Sequence, residues 1–299
     1  MGAGRSARTG ELMRDTMPEF GSFVALGDSF TEGLGDPYAD GAGYRGLDHS
    51  DWSWRGWADR FAERLAAGRP GLRYANLAVR GKLVGEVAAE QVPVAIAMAP
   101  DLVSIAAGGN DLLRPRADPD ALAQVFGAAV ADLRAAGCEV IVFTGFDPRT
   151  FPLVRLIRGK VAAYNMHLRA IADRHDCHLV DLWSMRVLDD PREWSVDRLH
   201  LSSDGHRRVA LRACEVMGIG VDEDWREPLP PRLRPEEVLA KPASGSRAAA
   251  LSQTADWLKA RRLDARWARE YAVPWVGRRL RGASSGDGIP PKRPEMLPL

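Results

Sequence analysis

Short apolar runs alternate along the chain with segments of helical spacing. Phe23-Val24-Ala25-Leu26 ends in Gly27 and suits a buried strand. Tyr74–Val79, Leu102–Ala107, Val140–Phe143 and His178–Trp183 read the same way. Between them, Trp57, Phe61 and Leu65 recur at i, i+4 and i+8 within Trp54–Ala67. Val84–Met98 is rich in Ala and Val, and Pro93 is expected to kink or break it. Pro119–Ala136 follows Asp118, an N-cap residue with Pro at the first helical position. Phe151–Arg174 and Asp204–Val216 complete the helices. Strands alternating with helices predict right-handed crossovers and a five-stranded, mostly parallel sheet covered on both faces, an α/β/α three-layer sandwich. The chain shows no internal repeat.

Composition narrows the class. The 299 residues are 27% charged and 45% hydrophobic, as in an ordinary globular protein. There is no run of about 18 apolar residues, so no transmembrane helix is expected. The three cysteines, Cys138, Cys177 and Cys214, make no disulfide framework and point to a reducing cytoplasm. Residues 1–20 read as a flexible leader without the apolar stretch of a secretory signal. The net charge of +1 hides an asymmetry. Residues 241–299 carry 12 Lys/Arg against 5 Asp/Glu, and the rest of the chain 29 against 35. The expected organisation is therefore a leader over 1–20, an α/β domain over 21–240 and a basic helical extension over 241–299. The Gly-, Ser- and Pro-rich stretch 282–299 reads as extended or disordered.

In an open parallel sheet, reactive groups belong at the carboxyl ends of the strands. The first strand ends in Gly27-Asp28-Ser29-Phe30-Thr31-Glu32-Gly33. Ser29 can project a nucleophilic hydroxyl there; it also suits a plain helix cap. The second leads into Asn76-Leu77-Ala78-Val79-Arg80-Gly81, where a glycine lets a backbone N–H approach a ligand. The third ends Gly108-Gly109-Asn110-Asp111. Ser29 N–H, Gly81 N–H and the Asn110 amide would make three donors for one oxyanion. Read singly, Gly81 and Asn110 are ordinary turn residues. Late in the chain, Asp197 and His200 stand three apart, so a carboxylate can orient an imidazole. The plainer alternative is a surface pair before the last helix.

Taken jointly and in this order, the four segments resemble the SGNH hydrolases, or GDSL esterases and lipases. The residues that carry the resemblance are Ser29, Gly81, Asn110 and His200. The first block has Phe30 where Leu is usual, the second keeps Asn76 and Gly81, and the third and fourth are complete as Gly-x-Asn-Asp and Asp-x-x-His. The resemblance covers roughly residues 22–218, and the whole chain, Trp/Arg-rich tail included, is similar to actinobacterial members. It implies a flavodoxin-like sheet and a carboxylic ester hydrolase. Ser29 would attack an acyl or acetyl ester, His200 would act as base and then acid, and Asp197 would orient His200. Ser29 N–H, Gly81 N–H and Asn110 would hold the oxyanion, with no metal or other cofactor. A thioesterase, a lysophospholipase or an acyltransferase of the same fold remain open. The rival from another class is a non-catalytic protein that binds partners through its basic tail.

Other segments carry weaker chemical signals. His175-Asp176-Cys177-His178 lacks the spacing of a structural zinc motif. His206 is expected exposed or capping at the start of the last helix. Asp28 and Asp111 are expected to hold their loops, and Glu32 is a polar group near the cleft without an assigned role. The aromatics of 34–57, Tyr38, Tyr44, Trp52, Trp54 and Trp57, could line a substrate site; Trp57 is expected instead to pack the first long helix onto the sheet. Leu263, Trp267 and Tyr271 form a stripe flanked by Arg within 247–281. That stripe is expected to pack on the acidic body; a membrane surface is a second possibility, and nucleic acid is not expected. The expected partner is a small-molecule ester.

Overall fold

Six strands build the sheet of the computed structural model, which describes residues 20–38, 54–150, 154–230, 269 and 286–299. They are β1 (Ser22–Gly27), β2 (Arg73–Asn76), β3 (Leu102–Ala106), β4 (Glu139–Phe143), β5 (His178–Val180) and β6 (Arg293–Pro298). Their spatial order is β5-β4-β3-β1-β2-β6. β1 to β5 run parallel, and β6 adds antiparallel to β2. β1 is buried along its whole length, as its unbroken apolar run requires when a strand has neighbours on both sides and helices on both faces.

The helices are α1 (Ser29–Glu32), α2 (Gly56–Gly68), α3 (Val84–Glu86), α4 (Val92–Met98), α5 (Gly109–Leu112), α6 (Pro119–Ala135), α7 (Arg158–Arg174) and α8 (Ser203–Val216). Alternate residues of the strands feed two cores. Phe23 and Ala25 face Trp57, Phe61 and Leu65 of α2 and Val209, Ala210 and Ala213 of α8. Val24 and Leu26 face Val92 and Ala95 of α4, Phe126 and Leu133 of α6, and Leu168 and Ile171 of α7. Trp57 packs where expected, fully buried with its ring 4.4 Å from Phe143. The Asp118 cap forms, its side chain accepting from Asp120 N–H. Between α3 and α4 the backbone widens into a π turn over Val87–Gln91. Pro93, in the first turn of α4, has no N–H to continue the regular ladder.

The sheet has one strand more than the apolar runs predict, and the disordered end expected for the C-terminal extension gives way over Arg293–Pro298. Two prolines hide this strand from a sequence reading. At an edge only one side of a strand pairs, so a missing N–H is tolerated. Buried Arg293 fastens it, donating to the Tyr74 carbonyl at 2.6 Å. Lys292 donates to Asp59 at 2.9 Å and to the carbonyls of Trp54 and Arg55. Residues 1–226 and 286–299 form one compact unit, and 227–285 another. The leader, the boundary near 240, Tyr44, Trp52 and the Leu263/Trp267/Tyr271 stripe lie outside the described residues. Among those described, no helix is long and apolar enough to cross a membrane.

Chain order decides where a cleft opens. β1 has β2 on one side and β3 on the other, so the crossovers reverse direction at this pair. The crevice of such a sheet lies outside the carboxyl ends of the two strands. Those ends carry Ser29 and Asn110.

Candidate active site

The turn after β1 is held rigidly. Buried Gln91, in the π turn, accepts from Gly27 N–H at 2.8 Å and donates to Gly27 O at 2.9 Å. Asp28 caps α1, its Oδ1 accepting from Phe30 N–H at 3.0 Å. Ser29 is thus the first helical residue, and its N–H is one of the helix-start donors with no intrahelical acceptor. The Phe30 ring sits among Trp57, Phe143 and Phe146, with centroids 5.5 to 5.9 Å away.

His200 and Asp197 lie in a small hairpin closed by the Trp194–Leu201 bridge. Ser195 N–H donates to His200 O, and Ser202 N–H to Glu193 O, each at 2.8 Å. Glu193 is buried and receives Arg208 Nε at 2.8 Å. Asp197 does two jobs here. Its Oδ1 accepts from Ser195 Oγ–H, Leu199 N–H and His200 N–H at 2.6 to 3.0 Å, which forms the turn. Its Oδ2 receives His200 Nδ1–H at 2.5 Å. Burial alone would raise the Asp197 carboxyl; the bonds from His200 and Ser195 and the His200 charge outweigh it and hold it well below the usual carboxylate range. His200 Nε2 lies 3.0 Å from Ser29 Oγ, 171 residues away in sequence. The structure therefore brings Ser29, His200 and Asp197 into one hydrogen-bonded line.

Asn110 is the second residue of the short helix after β3, which starts at Gly109. The preceding Gly108 has φ +104°, and a Cβ there would strike the Tyr164 ring. Tyr164 Oη–H donates to Ala107 O at 3.2 Å and so packs the turn from behind. Asn110 Nδ2 donates to Asp28 Oδ2 at 3.0 Å and to Lys82 O at 3.1 Å. The amide therefore sits between the nucleophile turn and the loop that carries Gly81. Asp111 accepts from Val84 N–H, so both Asp28 and Asp111 hold loops as expected. Glu32 pairs with Arg80 at the mouth of the Gly81 loop. Asn76 ties β2 to the nucleophile helix, its Nδ2 donating to Thr31 O at 3.0 Å while Ala78 N–H donates to its Oδ1.

His206 departs from expectation. It is fully buried, accepting from Trp57 N–H at Nδ1 (3.2 Å) and donating from Nε2 to Leu34 O (3.0 Å). The expected exposure at the start of α8 fails because the opening turn of that helix is roofed by the Gly33–Asp36 turn. Burial pushes the His206 imidazole down to about 4, against the opposing pull of Leu34 O and Asp36. Between about pH 6.5 and 4 the unfolded chain then binds a proton that the folded chain resists. Stability is expected to fall as pH drops through this window, by on the order of 3 kcal/mol. Urea unfolding at about pH 7 and 4.5 measures the loss. His206→Gln, still able to accept and donate, is expected to flatten it; an equal slope in the variant would assign the loss elsewhere.

Several supporting residues escaped the sequence reading: Gln91, Glu193, Ser195 and Arg208. Gln91 was the most legible of them, the one uncharged polar side chain in the Ala/Val-rich stretch 84–98. Among the described residues, no group of three His, Cys, Asp or Glu side chains could hold a metal ion. Tyr38, one of the loop aromatics, is not free to face a ligand, because its hydroxyl donates to Asp59 at 2.7 Å.

A sequence model of the GDSL-like lipase/acylhydrolase family matches residues 25–208. Among solved structures, the chain is similar to LAE5, described as an alpha/beta hydrolase enzyme from the metagenome of Lake Arreo, Spain. The identity is 25% and the TM-score 0.55, over 67% of this chain and 95% of that one. It is also similar to TesA (24%, TM-score 0.51, 66% and 97%). A variant of the acetyl xylan esterase Axe2 from Geobacillus stearothermophilus shares the fold at 22% identity (TM-score 0.56, 69% and 100%). A comparison with curated proteins finds no match.

Proposed function

The chain belongs to the GDSL-like lipase/acylhydrolase family and is a carboxylic ester hydrolase, and from that premise we propose that Ser29 is its nucleophile, His200 its general base and Asp197 the group that orients the base. The observation that carries this reading is the line Ser29 Oγ–His200 Nε2 (3.0 Å), His200 Nδ1–Asp197 Oδ2 (2.5 Å). A serine hydroxyl is a weak nucleophile until a neighbouring base takes its proton. Asp197 keeps the proton on Nδ1, which leaves the Nε2 lone pair for Ser29.

In the proposed reaction Ser29 Oγ adds to the acyl carbonyl as its proton passes to His200 Nε2. The carbonyl oxygen becomes an oxyanion facing Ser29 N–H, Gly81 N–H and Asn110 Nδ2–H. At Asn110 it takes over a hydrogen bond now made to Asp28 or Lys82 O, so the amide is aimed before substrate arrives. Collapse breaks the ester C–O bond, and His200 returns its proton to the leaving alcohol. Water, deprotonated by His200, then releases the acid and restores Ser29. The substrate is a small-molecule acyl or acetyl ester.

The test is the initial rate on nitrophenyl esters from acetyl to palmitoyl, for the protein and its Ser29→Ala variant side by side. Activity that vanishes with Ser29 supports the reading, and the chain-length profile separates an acetylesterase from a lipase. Ester hydrolysis in the variant within about tenfold of the parent rate would overturn it. Asn110→Ala is expected to lower kcat by about 10²-fold or more, the usual effect of losing one oxyanion donor. An unchanged kcat would remove Asn110 from that role.

A further inference from the structure

Arg80, whose carbonyl opens the Arg80–Gly81 peptide, is held on two sides by groups the chemistry above does not use. Glu32 is buried on the nucleophile helix α1. Its Oε2 accepts from Arg80 N–H at 2.6 Å, and its Oε1 accepts from Arg80 Nε at 2.9 Å and pairs with Nη2. Gly286, also buried, backs onto the Arg80 carbonyl. A Cβ at 286 would collide with that oxygen and lie 2.9 Å from Val79 Cγ1. Gly286 cannot drift away easily. Its carbonyl receives Ile289 N–H at 3.0 Å, and the segment is fastened a few residues later by Lys292 and Arg293.

A peptide group is planar, so the Arg80 carbonyl and the Gly81 N–H move as one rigid plate and point in opposite directions. Gly81 has φ +80° and no side chain, so turning the plate over meets little steric resistance within the loop itself. Glu32 fixes the N–H side of Arg80 and its guanidinium, Gly286 closes the space behind its carbonyl, and together they set the direction of the Gly81 N–H. We infer that Glu32 and Gly286 are positioning residues that lock the Arg80–Gly81 peptide with Gly81 N–H aimed at the oxyanion. The C-terminal segment is then part of the hydrolytic apparatus, although it contributes no reacting group. This inference rests on Gly81 being an oxyanion donor, as proposed above.

The experiment measures kcat and KM on nitrophenyl acetate, melting temperature, and the inhibition constant of phenylboronic acid, which forms a tetrahedral adduct on a serine oxygen. It compares the full chain with Gly286→Ala, Glu32→Gln and Asn110→Ala. Gly286→Ala presses a methyl onto the Arg80 carbonyl. It is expected to lower kcat about 10- to 10²-fold, approaching the loss of one donor, with KM within about twofold. The boronic acid should weaken by a similar factor, because it reports transition-state binding. A merely structural role would move melting temperature and active fraction, not this split. Glu32→Gln puts an amide N–H donor where one of the two Glu32 oxygens now accepts from Arg80, donor against donor. It is expected to shift kcat the same way by about fivefold or more, and it decides the matter if Gly286→Ala does not fold. A folded Gly286→Ala with kcat unchanged beside an impaired Asn110→Ala overturns the inference and leaves the oxyanion reading standing. If Asn110→Ala is also unimpaired, the oxyanion reading itself fails.

Discussion

Ser29→Ala is expected to lower kcat by about 10⁶-fold, to within about 10³- to 10⁴-fold of the reaction in water. Removing Oγ deletes the atom that would form the acyl-enzyme, and nothing beside it can substitute. Asp28, its neighbour, is already committed to Phe30 N–H and Asn110. The remaining acceleration would come from donors that still polarise the carbonyl. KM for a small ester should change little, since the hydroxyl contributes little ground-state binding. The fold should be untouched, because α1 is capped by Asp28 and not by Ser29. The measurement is a steady-state rate at high enzyme concentration, with the absence of burst product as the control for a lost acyl-enzyme. A residual kcat within tenfold of the parent protein would remove Ser29 as nucleophile.

Asp197→Asn is expected to lower kcat by about 10⁴-fold with the turn intact. Asn keeps an oxygen where Oδ1 now receives Ser195, Leu199 and His200 N–H. Its amide nitrogen would then face His200 Nδ1, donor against donor. The imidazole escapes by shifting its proton to Nε2, and in that tautomer it cannot accept from Ser29. Asp197→Ala removes the turn contacts as well and should lose thermal stability, which Asp197→Asn should retain. Comparing melting temperature and kcat in the two variants separates the jobs of the two oxygens. Equal rates for Asp197→Asn and the parent protein would restrict Asp197 to its role in the loop. Acid inactivation should not trace to Asp197, because the bonds that outweigh its burial keep it ionised far below ordinary carboxylates.

The catalytic body shows how far local pattern reaches. All five parallel strands announce themselves as apolar runs, since strands covered on both faces must be apolar throughout. Ser29, Gly81 and Asn110 follow from reading strand ends, because a parallel sheet presents its loops at one edge. Asp197 and His200 are close in sequence, so their meeting could be expected. Where the pattern depended on a single-sided environment it was less legible. β6 carries prolines and charges that suit an edge and mimic disorder. His206 looks like any polar residue at a helix start until the Gly33–Asp36 turn covers it.

Sequence by itself determined the alternation of strands and helices, the residue types able to attack, accept a proton and hold an oxyanion, and their order along the chain. These are properties of neighbours within a few positions, and periodicity records them. Only the tertiary structure decided that His200 reaches Ser29, that Arg208 neutralises Glu193 beneath the hairpin, that Gln91 locks the end of β1, and that Gly286 braces the Arg80–Gly81 peptide. Each of these contacts joins segments distant in the chain. No local pattern encodes them, because they exist only once the crossovers have packed both helix layers against the sheet and the C-terminal strand β6 has been laid beside β2.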